Sequence, residues 1–310
     1  MLGGEHVPDP EHRKAGRTLS DTAKKPLEEL TPGDIARAIG GKDPTKAQSM
    51  VIDGPPEPTL VVAGAGAGKT ETMAARVVYL VATRKARPGQ ILGLTFTRKA
   101  AQQLSRRVQM RLDEFARSHD FVSRGDEVSD IAEAIRTEQP RISTYDSYAG
   151  DVLSSHGLLI PVEPDATVIN ETDLYILVHS IVSEWDRPFP WSVGTVVDRV
   201  ISLAEQISGH LITTDVVRED EDLLSQAVES LETKAAKKDL QTAAAAQEDR
   251  LALLDVVDAV HDRLRREGKL TFGMRMSYAA QLAERFPEVV DAERRLTSVV
   301  LLDEYQDTGQ

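Results

Sequence analysis

The chain has 310 residues, enough for one large domain or two ordinary ones, and its 41% hydrophobic content suffices for a packed core. Cysteine is absent, which excludes disulfides, thiolate zinc sites and thiol catalysis. The formal net charge of −13 by itself argues against a nucleic-acid partner.

Residues 1–30 are polar, with Pro, Gly and mixed charge, and read as a disordered leader. They hold no apolar signal core, and no stretch of the chain approaches the ~18 apolar residues of a membrane span. The expectation is a soluble, cytoplasmic protein with no membrane partner. "TPGDIARAIGG" then frames a short helix, with Thr31 before Pro32 at its start and Gly40-Gly41 at its stop. A Pro-rich link, "DGPPEPT", leads to the apolar run "LVVA" at 60–63, which reads as the first strand, and a helix follows over about 70–83. After the turn signal "RPGQ" come a second strand, "ILGLTF", and a helix over about 99–118. "RISTYDSYAG" reads as a third strand turning into a helix.

From about 170 to 286 the pattern is helical without strands. "ETDLYILVHSIVSEW", "TVVDRVISLAEQIS" and "QEDRLALLDVVDAVHDRLRREG" repeat apolar residues every three or four positions. The run "EDED" at 219–222 reads as a solvated acidic patch. "SVVLLDEYQDT" then supplies a strand ending in carboxylates. Strands alternating with helices imply an α/β fold with a parallel sheet, and the long helical stretch must project from its edge or top. The seven histidines are scattered without metal-ligand spacing.

Charge is segregated along the chain. Between Thr72 and Leu112 there is no acid but nine basic residues: Arg76, Arg84, Lys85, Arg87, Arg98, Lys99, Arg106, Arg107 and Arg111. The expectation is a local positive field on an acidic body, weighed against a helix face that merely happens to be basic.

"AGAGAGKT", from Ala63 to Thr70, carries the first chemistry. Glycines between a strand and a helix let backbone N–H groups turn inward and cradle phosphate oxygens. The following helix adds its free N–H groups and positive dipole end. Lys69 then reaches the β- and γ-phosphates, and the Thr70 hydroxyl coordinates Mg²⁺. The fit to a P-loop departs only at Ala63, where Gly is usual. The dinucleotide fingerprint is excluded because Lys69 stands at its last Gly position. At the far end of the chain, Asp303 can hold Mg²⁺ and Glu304 can orient and deprotonate an attacking water.

"AGAGAGKT", "LTFTRKAA", "STYDSYA" and "LLDEYQDT", in that order, resemble the UvrD/Rep/PcrA branch of superfamily 1 DNA helicases, over roughly Thr45 to Thr308. The style of the second and third motifs is closest to actinobacterial UvrD-like and RecB-like members. The resemblance implies a RecA-like P-loop NTPase domain carrying a long helical insertion. The divisions are a leader at 1–30, the first part of the ATP-binding domain at 31–155, the insertion at 156–290 and a return to the core at 291–310. It implies ATP and Mg²⁺ as cofactors, and single-stranded DNA or duplex/single-strand junctions as partners. It also admits a helicase–nuclease partner subunit.

Residue by residue, the resemblance implies that Gln48 reads the adenine edge and that Arg76 lies near the base. The loop Ala63, Gly64, Ala65, Gly66, Ala67, Gly68, Lys69 and Thr70 holds the phosphates. Gln306 couples the γ-phosphate to DNA movement, joining Lys69, Asp303 and Glu304 as catalytic residues. Thr95, Phe96, Thr97, Arg98 and Lys99, with Thr144 and Tyr145, contact DNA. Asp146 stands where the family commonly has His, which removes any His-mediated DNA contact. Phe96 reads equally well as a core residue from its strand pattern.

The chain stops at Gln310, directly after the carboxylate strand. The family's later motifs, including arginines that face the γ-phosphate, are not in these residues. The expected function is an ATP-dependent 3′→5′ DNA helicase or translocase in DNA repair or recombination, present as its ATP-binding part. The alternative is a truncated module that binds nucleotide and single-stranded DNA without helicase activity of its own. A GTPase or kinase is disfavoured, because no N-K-x-D motif accompanies "DEYQDT".

Overall fold

A computed structural model describes residues 24–307, apart from 65, 164, 220–225 and 227–233. The chain enters through a 3-10 turn at Leu27–Glu29, with Leu27 only 1% exposed. Helix α1 (Pro32–Ala38) starts on a capping box. Thr31 Oγ1 accepts from the Asp34 N–H at 3.2 Å, and the Asp34 carboxylate accepts from the Thr31 N–H at 2.9 Å. That backbone hydrogen bond from Thr31, helped by the Thr31 hydroxyl, holds the Asp34 carboxyl well below the usual carboxylate range.

Leu27 and Ile35 both join the core around the helix that follows the glycine loop. The packed chain therefore begins inside the stretch expected as a leader, and residues 1–23 of that leader lie outside the described residues. Truncating Leu27 to Ala is expected to cost about 2–5 kcal/mol of stability, the range for a fully buried leucine. Urea unfolding measures this, and a loss under about 0.5 kcal/mol would show that the segment only lies against the core.

Helix α2 (Lys46–Ile52) is capped by Thr45 and leads to the stretch 53–68. The strand expected at 60–63 does not form. Leu60, Val61 and Val62 are 75%, 46% and 90% exposed and lie outside any regular element. The reason is pairing: an apolar run becomes a strand only beside another strand's free N–H and C=O groups, and none of the described strands pairs with it.

Helix α3 (Lys69–Ala82) follows, and strand β1 (Ile91–Thr95) is buried along its whole length. Helix α4 (Arg98–Arg117) buries Ala101, Leu104, Val108, Leu112 and Phe115 at three- and four-residue spacing. Short helices α5 (His119–Val122) and α6 (Ser129–Thr137) lead to strand β2 (Arg141–Thr144), which runs directly into α7 (Tyr145–His156).

The remainder is mainly helical, as expected. It comprises α8 (Glu171–Ser183), α9 (Val193–Gly209), helical residues 214–219 (α10), α11 (Lys234–Arg266), α12 (Phe272–Arg285) and α13 (Pro287–Leu296). It is not free of strands. The two-residue strands β3 (Thr167–Val168) and β4 (Lys269–Leu270) pair in parallel. Two residues are too few for a period-2 pattern to show in the sequence. Of "EDED", residues 220–222 lie outside the described residues.

Strand β5 (Val299–Leu302) returns to the first sheet, whose order is β2-β1-β5 with every pair parallel. Among the described residues, most buried hydrophobic side chains fall into two clusters. One gathers around α3, α4 and β1; the other joins the end of α7 to α8, α9, α11, α12 and Val289 of α13. α7 thus begins at the sheet and ends in the helical cluster through Val152 and Leu153.

Candidate nucleotide and nucleic-acid site

Because β1, β2 and β5 are parallel, their C-terminal ends lie on one edge of the sheet. Thr95 ends β1 and Phe96 to Lys99 follow it, Tyr145 follows β2, and Asp303 and Glu304 follow β5. In open parallel sheets this is the edge where ligands bind.

The loop before α3 has Gly66 at φ +76° and Gly68 at φ +82°, backbone that a side chain rarely adopts. The Ala67 N–H donates to the Gly64 carbonyl at 3.3 Å, closing a turn. No atom stands within 4 Å of where a Cβ on Gly66 would be, so the space beside it is open. Gly68 is the N-cap of α3, and Lys69 and Thr70 open the helix. Ala63 and Gly64 lead into the turn, while Ala65 lies outside the described residues.

Gln48 is already at this loop. Its Nε2 donates to the Ala67 carbonyl at 3.2 Å, while its Oε1 accepts from the Thr45 N–H at 2.9 Å.

Opposite the loop, the Asp303 N–H donates to the Leu94 carbonyl at 2.8 Å, extending the β1–β5 ladder by one bond. Glu304 then turns at φ +50°, a left-handed conformation that costs a residue with a side chain about 1–2 kcal/mol. Its carboxylate comes 3.9 Å from Lys69 Nζ, with the two side chains 38% and 39% exposed. A loose, solvated pair of this kind is worth about 0–1 kcal/mol, so an incoming anion displaces Glu304 from Lys69 at little cost. Gln306 Nε2 donates to the same carboxylate.

Burial raises the Asp303 pKa, the adjacent Glu304 raises it further, and Lys69 opposes them. Added positive charge beside Asp303 would therefore favour its ionised form.

Arg76 is placed differently from a base contact. Its Nη1 donates to the carbonyls of Val51, Ile52 and Gly54 at 2.8, 3.2 and 3.1 Å, and its Nη2 to that of Pro55 at 3.3 Å. Burial lowers its pKa. The guanidinium thereby ties the end of α2 to α3.

Four of the nine basic residues between Thr72 and Leu112 are neutralised by carboxylates. Arg84 pairs with Asp130 and Arg87 with Glu138, while Arg107 and Arg111 both pair with Glu71. Lys85 donates to the Tyr79 hydroxyl. Among the described residues, Arg98, Lys99 and Arg106 on α4, and Lys85 beside Tyr79, are exposed without a counter-charge within ion-pair distance. Of the nine, three exposed cations on α4 lack any partner among the described residues, while Arg76 is held by carbonyls and Lys85 by the Tyr79 hydroxyl. Glu71 was the missed signal: it lies one residue past Thr70, and its two partners are four apart on a neighbouring helix.

The residues expected at DNA divide in two. Phe96 is 55% exposed, which removes it from the core, and Arg98 and Lys99 are exposed at the start of α4. Thr95 is fully buried with a hydroxyl that has no hydrogen-bond partner among the described residues, and Thr144 is 8% exposed. Thr97 and Thr144 act as N-caps, accepting from the Ala100 and Ser147 N–H groups at 3.1 Å each. The Tyr145 hydroxyl donates to the Asp303 carbonyl at 3.3 Å, joining the start of α7 to the carboxylate strand. Burial raises its pKa.

A helix-rich chain with a parallel sheet, a glycine loop opening a helix, and paired carboxylates at a strand end form a class that comparison with known families makes specific. The family model described as "UvrD/REP helicase N-terminal domain" matches residues 44–310, and the chain belongs to that family.

The chain is 28% identical over 282 residues to the ATP-dependent DNA helicase UvrD1 of Mycobacterium tuberculosis (strain H37Rv), and 27% over 279 residues to that of Mycobacterium leprae. It is 25% identical over 264 residues to the ATP-dependent DNA helicase PcrA of Staphylococcus aureus (strain NCTC 8325). These alignments cover 90%, 89% and 85% of this chain but 30% of each relative. The chain therefore spans under a third of the length of the relatives it matches. Among the described residues, no helix is long and apolar enough to cross a membrane.

Proposed function

We propose that the chain is the nucleotide- and single-stranded-DNA-binding N-terminal part of an ATP-dependent DNA helicase of 3′→5′ polarity, acting in DNA repair or recombination. Its fold is then RecA-like over 31–155 and 291–310, with a mainly helical insertion at 156–290. The observation that carries the reading is convergence on one sheet edge. The 3.9 Å approach of Lys69 to Glu304 and the Tyr145–Asp303 hydrogen bond bring the nucleotide and DNA elements together there.

In this reading the loop N–H groups and Lys69 take the β- and γ-phosphates, and Gln48 takes the adenine edge. Arg76 acts from behind, holding α2 so that Gln48 stays in reach. Glu304 orients the attacking water, and Gln306 holds Glu304. Mg²⁺ fits the donors available. Thr70 and Asp303 offer oxygens only, and among the described residues there is no cluster of three or more His, Cys, Asp or Glu. Two protein oxygens completed by water and phosphate suit Mg²⁺ better than an all-protein cage. When bound, the ion would neutralise phosphate charge and supply the positive charge that favours ionised Asp303. Phe96 offers a face for base stacking, while Arg98 and Lys99 offer charge to phosphates.

One observation favours the binding-module alternative for these 310 residues. Charge building on a transferring phosphoryl group is usually met by an arginine worth about 10³–10⁵ in rate. Among the described residues, Lys69 is the cation that pairs with Glu304, and no arginine joins it. We expect the 310-residue chain to bind a fluorescent ATP analogue in Mg²⁺ and to hydrolyse ATP barely, with or without oligo-dT. Failure to bind the analogue at millimolar concentration would overturn the nucleotide assignment. Robust oligo-dT-stimulated turnover would instead retire the module alternative.

A further inference from the structure

The first turn of α7 is held from the helical half of the molecule by a charge contact that no nucleotide or DNA motif predicts. Arg275, on α12, brings its Nε to 3.2 Å from Asp146 Oδ1, with the two side chains 21% and 27% exposed. Both atoms are sealed from solvent, and neither has an aligned hydrogen bond to any group among the described residues. They are therefore bound to each other by charge, and removing one partner would strand the other.

The seat for the guanidinium is Gly150, one turn along α7 from Asp146. A Cβ there would stand 2.8 Å from Arg275 Nη1 and 3.4 Å from its Cδ, so the arginine lies in the space the missing side chain leaves. The Phe272 ring, on the same face of α12 and 50% exposed, has its centroid 5.9 Å from the guanidinium carbon.

Asp146 directly follows Tyr145, whose hydroxyl reaches the Asp303 carbonyl at 3.3 Å. α12 itself is anchored in the helical core through Met274 and Leu282. A continuous set of contacts thus runs from the helical core through Arg275 and Asp146 to Tyr145 and the carboxylate strand.

We propose that Arg275 is a positioning residue: through Asp146 it sets Tyr145, and so couples occupancy of the α7 terminus by single-stranded DNA to nucleotide affinity at Asp303. This rests on the function proposed above. Coupling between two binding sites is reciprocal and is read as the ratio of nucleotide affinities with and without DNA.

The experiment titrates a fluorescent ATP analogue in Mg²⁺ into the 310-residue chain, with and without saturating oligo-dT. For the unaltered chain we expect the two affinities to differ by about 5-fold or more, the lower end of ordinary coupling. Arg275→Met should bring the ratio to about 1 while each ligand, measured alone, binds within about 3-fold of the unaltered chain. Gly150→Ala should also abolish the ratio, by crowding the guanidinium off Asp146. It changes no charge, and the gain from replacing a helix-interior glycine offsets part of the cost of leaving Asp146 unpaired, so its Tm should fall less than that of Arg275→Met. The exchange Asp146→Arg with Arg275→Asp should restore part of the ratio.

Where Arg275→Met fails to fold, Gly150→Ala decides. A merely structural contact would shift Tm or both affinities together and leave their ratio intact. Coupling that survives Gly150→Ala, or no coupling in the unaltered chain, overturns the proposal. Loss of binding of either ligand by the unaltered chain instead overturns the functional reading beneath it.

Discussion

Replacing Lys69 by Ala is expected to weaken nucleotide binding by roughly 10- to 150-fold, the equivalent of about 1.5–3 kcal/mol for a charge-assisted contact. Two features of the site set the size of this effect. Lys69 must leave Glu304 to meet phosphate, but at 3.9 Å and with both side chains over a third exposed that pair opposes binding by about 1 kcal/mol at most. Lys69 also opposes the upward pull of burial and Glu304 on Asp303. Without it Asp303 is protonated more readily, and a protonated carboxyl is a poor Mg²⁺ donor.

The loss should therefore deepen as pH falls toward the raised Asp303 pKa and lessen above it, where the carboxylate is ionised in both proteins. Folding should change little, because Lys69 is half-exposed and its pair is weak. The check is a titration with a fluorescent ATP analogue at fixed Mg²⁺ across pH, beside a thermal melt. Unchanged affinity with an unchanged melt would remove Lys69, and the glycine loop with it, from the nucleotide site.

Reversing Arg98 and Lys99 together to Glu is expected to weaken single-stranded DNA binding by an order of magnitude or more, about equally for every sequence. Phosphate contacts carry affinity but no sequence information. The slope of log affinity against log salt should flatten by about 1.4, since each lost phosphate contact removes about 0.7 for single strands. The structure supplies the control. Arg84 lies in the same basic window but is neutralised by Asp130, so Arg84→Gln should leave the salt slope unchanged. Fluorescence anisotropy on labelled oligonucleotides of different sequence, at several salt concentrations, reads all of this. A double reversal that leaves both affinity and slope intact would place the DNA path elsewhere.

The elements that were legible in the sequence are those whose signals are local. Thr31 caps α1 because a hydroxyl three residues before an N–H can reach it without reference to the rest of the molecule. The apolar spacing of α4 and of the helices beyond residue 170 had to yield one buried face each. The loop at 63–70 and the carboxylates at 303 and 304 were readable for the same reason, since glycine spacing and a strand-to-carboxylate junction are written in consecutive residues.

Tertiary structure decided everything that depends on a partner distant in the chain. "LVVA" carries the composition of a strand, yet 60–63 stays out of the sheet, because strand formation needs a neighbour's backbone and not only apolar side chains. Four of the nine cations in the acid-free window are neutralised, because Glu71, Asp130 and Glu138 reach them through the fold. Arg76, six residues past Thr70, met the carbonyls at the end of α2 because helix packing brought four oxygens together there. Asp146 found Arg275, 129 positions away, in a notch whose existence depends on Gly150. Sequence alone settles which chemistry each short segment can offer. Which charges stay free, which carbonyls gather and which strands find an edge are set by long-range packing, where a residue's neighbours in space are not its neighbours in the chain.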